Sequence, residues 1–103
     1  MFKINGMIWK VKFVHPNNPI LFDNGNYTLG VCLNTNKTIY LADDLKGKML
    51  KKVLCHEIVH AAMFSYGVSL SLDQEEIIAD IIATYGEEII NVTNKVFKKL
   101  RLI

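Results

Sequence analysis

Cys55-His56-Glu57-Ile58-Val59-His60-Ala61 lies near the middle of the chain, an H-E-x-x-H pattern set inside an apolar run. On a helix, residues four apart sit one turn above each other, so His56 and His60 share a face. Two neutral imidazoles at that separation grip one metal ion, and zinc is the usual occupant of such a pair. Glu57 stands one helical step round from His56. It reaches a water at such an ion without itself ligating, which is the position a general base needs.

The flanking residues carry the helical period. Asp43 or Asp44 can N-cap a helix beginning near Leu45, which gathers Met49, Leu50, Val53, Leu54, Ile58, Val59, Ala62 and Met63. Gly47 either costs this helix a little stability or marks a delayed start. The apolar positions cover more than one stripe, as in a central helix packed on two sides. Ser65-Tyr66-Gly67 closes it, with Gly67 at C′.

Ser71-Leu72-Asp73-Gln74-Glu75-Glu76 opens a second helix, with Ser71 and Gln74, or Asp73 and Glu76, spaced as a capping box. Its first half is acidic, with no Lys or Arg between residues 73 and 94, and its end is basic at Lys95, Lys98, Lys99 and Arg101. That polarity complements the helix dipole and reads as a solvated face, not a nucleic-acid patch. Ile77, Ile78, Ile81, Ile82, Ile89 and Ile90 read as core, and Gly86 as a kink or a division of the helix.

Upstream the period is two. Phe2 and Ile4 precede Asn5-Gly6, a strong hairpin turn, and Met7 to Val14 alternate. His15-Pro16-Asn17-Asn18-Pro19 opens a loop, in which His15 reads as a surface residue. A second hairpin then pairs Tyr27–Leu33 with Thr38–Leu41 through Asn34-Thr35-Asn36-Lys37. The expected fold is α+β over a single domain, 1–103. A small antiparallel sheet of three or four strands is followed by two packed helices that carry the site.

Composition narrows the partners. A formal net charge of +2 on 103 residues gives no strong pull toward nucleic acid or an anionic membrane. Cys32 and Cys55 are too few for a disulfide framework and sit in apolar runs that suit buried thiols. No signal peptide and no membrane-spanning stretch is visible, so the three Asn-x-Thr sequons read as idle and the chain as cytoplasmic. Lys outnumbers Arg eleven to one, which hints at an AT-rich coding sequence from a low-GC bacterium or its phage.

A zinc site needs a third protein ligand, and a catalytic one leaves its fourth position to water. After a tight turn at Gly67 the two helices pack, so Glu75, Glu76 and Asp80 are all candidates. Glu76 and Asp80 share a face, and one can ligate while the other holds a histidine ring. A solvated carboxylate at the helix N-terminus is the ordinary reading of Glu75.

His56-Glu57-x-x-His60 followed by Glu76-Ile77-Ile78-Ala79-Asp80 resembles the gluzincin pattern of H-E-x-x-H plus E-x-x-x-D. It is most similar to the small ImmA/IrrE-type metallopeptidases of bacteria and mobile elements, whose second motif reads roughly E-x-x-A-N. The resemblance covers about residues 27–90. It implies Glu76 as the third ligand and Asp80 as the supporting partner of His56. Asp80 stands where that family usually has Asn, which moves the chain toward the wider gluzincin form.

The expected function is that of a zinc-dependent peptidase binding one Zn2+ per chain, with Glu57 as general base. Its substrate would be a peptide or a specific protein, such as a repressor, as the resemblance implies. Thr38–Leu41, read as the sheet edge, would hold an extended substrate by strand addition. Tyr66 and Tyr85 are candidate hydrogen-bond donors to an oxyanion. The alternative is a non-enzymatic, zinc-stabilised binding or regulatory protein of a phage or mobile element. Glu57 argues against it, because a structural site has no need of that carboxylate.

Overall fold

A computed structural model describes residues 1–101. The Asn5-Gly6 turn, with both residues at positive φ (49° and 77°), joins β1 (Phe2–Ile4) to β2 (Met7–Val14) as an antiparallel hairpin. Positive φ at both turn positions matches the right-handed twist of the strands, and Asn-Gly takes it at little cost. A short 3-10 turn, Pro19–Leu21, follows, started by Asn18 Oδ1 accepting from the Ile20 amide at 3.0 Å. A two-stranded ribbon comes next, β3 (Phe22–Asp23) with β4 (Asn26–Tyr27). The second hairpin is β5 (Gly30–Leu33) with β6 (Thr38–Ala42).

The main sheet has the order β1-β2-β6-β5, and β2 runs parallel to β6. The sheet is therefore mixed and not purely antiparallel as expected. Residues 15–29 pass over one strand position to β5, which runs antiparallel, and the β5–β6 hairpin then inserts β6 beside β2. That insertion also moves Thr38–Leu41 from the expected edge to the interior. β6 lies between β2 and β5, and four of its five residues are buried. Its unbroken apolar run Ile39-Tyr40-Leu41-Ala42 is the composition of a strand covered on both faces. β5 takes the outer position instead.

The core joins this sheet to α1 (Gly47–Tyr66). Trp9, Leu21, Ile39, Leu41 and Ala61 are almost wholly buried. Burying one large apolar side chain contributes about 1.5–3 kcal/mol, so this cluster fixes how α1 lies on the sheet. Trp9 adds direction: its Nε1–H donates to Ser65 Oγ at 2.8 Å, and Asn5 Nδ2 donates to the Ser65 carbonyl at 2.9 Å.

Helix α1 starts two residues later than a start near Leu45. Lys46 occupies the N-cap in extended conformation without a side-chain cap, so neither Asp43 nor Asp44 serves. It ends at Gly67, which takes φ 65°, while Val68 N–H donates to the Met63 carbonyl at 2.9 Å. That left-handed C-cap turns the chain back for α2 (Leu72–Arg101). The box at its start is the Ser71/Gln74 one: Gln74 N–H donates to Ser71 Oγ, and Ser71 N–H donates to Gln74 Oε1. Gly86 does not divide α2, which runs unbroken for 30 residues.

One core expectation fails on α2. Ala79 is buried and Ile78 half-buried against Val59 and Met63, but Ile77, Ile81, Ile82, Ile89 and Ile90 are exposed. The chain supplies one helix to pack against, and α2 is far longer than the region α1 covers.

Candidate metal centre

His56 and His60 stand one turn apart on the face of α1 that meets the first turns of α2, as their spacing requires. Their Nε2 atoms are 3.2 Å apart. The Glu76 carboxylate straddles them, Oε2 lying 3.1 Å from His56 Nε2 and Oε1 2.8 Å from His60 Nε2. One ligand atom from each of these three residues falls within 4.8 Å of the others, and the group could hold a metal ion.

The far side of each ring is also engaged. His56 Nδ1 lies 2.9 Å from Asp80 Oδ1, and His60 Nδ1 lies 2.6 Å from Glu75 Oε1. A carboxylate only accepts, so in each pair the ring Nδ1–H donates. A neutral imidazole with its proton on Nδ1 presents a bare lone pair at Nε2. In that form three acceptors (two Nε2 atoms and the Glu76 carboxylate) face one point. The donor set fits a cation, and the carboxylates behind the rings fix both tautomers toward it.

Glu75 is thus neither a solvated carboxylate nor a member of the inner group. Its side chain is 13% exposed and packs behind His60. The adjacent Glu76 points about 100° further round the helix, toward the Nε2 atoms. Asp80, one turn further on, reaches His56.

Glu57 is buried beside this group. Burial pushes its carboxyl above the ordinary range, the His56 and His60 rings pull the other way, and Glu76 adds to the rise. The strand next to it is β5. A Cβ on Gly30 would stand 3.0 Å from Val53, 3.1 Å from Leu41 and 3.2 Å from the Glu57 side chain. A side chain there would press on all three, so glycine suits the close approach of the outer strand to α1. The sequence held that signal, since a glycine inside a strand marks close approach of another chain segment.

A cleft of about 690 Å³ opens over the site. Gly30, Val31 and Cys32 of β5 form one wall, and Glu75, Glu76 and Asp80 of α2 line another. Met49, Phe64 and Leu72 add apolar surface. Burial first, then the charges of Glu57 and Glu75, push the Cys32 thiol up to about 12, with Lys37 opposing. Neither Tyr66 nor Tyr85 lines the cleft; both are more than half exposed elsewhere. Tyr66 closes α1 beyond the site, and Tyr85 lies past the stretch of α2 that faces it. His15 stays in its loop, its Nδ1 accepting from the Asn17 amide.

No helix among the described residues is long and apolar enough to cross a membrane. No family model, curated protein or solved structure matches the chain.

Proposed function

We propose that the chain is a zinc-dependent peptidase of gluzincin type, with His56, His60 and Glu76 as its metal ligands. The observation that carries this reading is the convergence of three acceptors on one point while both Nδ1 atoms are tied to carboxylates. Two imidazoles and a carboxylate, with room left for a fourth position, are the donors of catalytic zinc sites. Zinc in such a set supplies a Lewis acid, which polarises a carbonyl and makes water acidic enough to ionise near neutral pH.

The rest of the chemistry falls to the chain. Glu57 takes a proton from the attacking water at a carboxylate oxygen and passes it to the leaving amine nitrogen. Glu75 and Asp80 keep the two rings from rotating, so the Nε2 atoms stay aimed inward. β5, the outer strand of the sheet on this side, offers backbone groups along the cleft wall for an extended peptide. Strand addition of this kind uses main-chain hydrogen bonds for affinity and side-chain pockets for selectivity. Thr38–Leu41 cannot take this role, because β6 is paired on both sides. The small cleft suits one narrow substrate, such as a particular protein segment.

The test joins metal content to cleavage. Purified protein should carry or take up one zinc per chain, lose it to a chelator, and cleave members of a diverse peptide library only when loaded. Zinc uptake without any cleavage would leave a metal-stabilised binding protein as the reading. Failure to take up zinc would remove both.

A further inference from the structure

The 30-residue α2 is about 45 Å long at 1.5 Å per residue, in a molecule 56 Å in its longest dimension. Past Glu87, which meets Lys51 of α1 at 2.7 Å, it continues for more than three turns with no described residue buried. From Tyr85 onward, Tyr85, Ile89, Val92 and Val96 follow one another at spacings of four, three and four. That is the spacing of a coiled-coil seam over two heptads, and Lys99 stands at the next position. All four are about half exposed, exposed Leu100 lies beside Val96, and Ile90 and Phe97 stand about 100° round from Ile89 and Val96. Asn91, Asn94, Lys95 and Lys98 occupy the opposite side and its margin. So broad an apolar face on a helix standing clear of its own fold requires a cover.

We infer that the cover is the same face of a second copy, laid antiparallel. The argument is charge complementarity along α2. Its polar residues are acidic through Glu88 and basic from Lys95 to Arg101. A parallel pair would bring the two basic ends together, whereas an antiparallel pair sets each basic end against the acidic half of its neighbour.

The register follows from the seam. Matching Ile89 with Val92 of the second copy also matches Tyr85 with Val96, giving four layers that close on themselves about a twofold axis. Glu88 and Lys95 flank the seam on the same side, seven residues apart. In this register Glu88 of each copy lies beside Lys95 of the other, forming two symmetric ion pairs. The metal ligands lie on the turns of α2 before Ala83, so the pairing leaves the cleft free. The inference does not depend on the proposed activity.

The experiment is sedimentation equilibrium of the purified full chain at micromolar concentration, with helix content followed by circular dichroism. Wild type should be a dimer and Ile89→Asp a folded monomer. Glu88→Lys and Lys95→Glu should each weaken the dimer on the order of 10-fold, by replacing attraction with repulsion at both symmetric positions. The double variant Glu88→Lys/Lys95→Glu should recover most of the loss, which a merely structural role for either residue would not produce. A monomeric wild type overturns the inference, because this face then belongs to another partner or a lipid surface. A dimer that ignores Ile89→Asp, or charge changes that fail to rescue each other, overturns the antiparallel register.

Discussion

His60 Nδ1 lies 2.6 Å from Glu75 Oε1, while the next residue, Glu76, faces His60 Nε2 at 2.8 Å. Two neighbouring glutamates thus grip opposite edges of one imidazole, because successive helical residues point about 100° apart. Their losses should differ in kind. Glu75→Ala should lower zinc affinity roughly 10- to 100-fold, the range for partners that orient a ligand, while keeping one zinc per chain. Asp80→Ala should behave the same way through His56. Glu76→Ala removes a ligand and should cost far more than either. Competition with a chromogenic chelator reads all three; a silent Glu76→Ala beside a zinc-free Glu75→Ala would reverse the assignment of the two glutamates.

Gly30 should be the least replaceable residue of β5. A methyl group there meets Val53, Leu41 and Glu57 at 3.0–3.2 Å, tighter than ordinary packing. Gly30→Ala should destabilise the fold by about 1–3 kcal/mol, the usual cost of overpacking, and Gly30→Val by more. Urea denaturation measures the loss. Unchanged stability would mean that β5 moves off α1 freely.

Cys32 lines the cleft yet should be unreactive. Burial holds its thiol at about 12 against an ordinary 9.0. The folded state therefore favours the neutral thiol. Its contribution to stability is complete below pH 9.0 and is lost as pH climbs toward 12, since the unfolded chain releases its proton first. Iodoacetamide near neutral pH should leave Cys32 untouched in the native protein and modify it in urea, as digestion and mass spectrometry would show. Rapid native labelling would place the thiol in a wetter setting than this one.

The sequence made the local elements readable because their signals are local. Asn5-Gly6 places its hairpin, Gly67 ends α1, and Ser71 with Gln74 starts α2. His56, Glu57 and His60 come together through helical spacing alone. What the sequence concealed was long-range. Nothing within β2 or β6 announces that they run parallel; that follows from where the β5–β6 hairpin inserts into the sheet. The apolar character of the α2 isoleucines read as core without saying whether this chain covers them. Glu75 was hard to read because a buried carboxylate and a solvated one look alike until the facing ring is in place.

In the proposed chemistry Glu57 moves protons for a site that other residues hold. Glu57→Gln keeps nearly the same shape but cannot accept a proton from water at neutral pH. Zinc content and thermal stability of this variant should therefore equal those of wild type, while cleavage of the best substrate from the peptide library falls about 10²- to 10⁴-fold. Single-turnover cleavage by the two zinc-loaded proteins, side by side, is the direct measurement. Equal rates in wild type and Glu57→Gln would contradict the account.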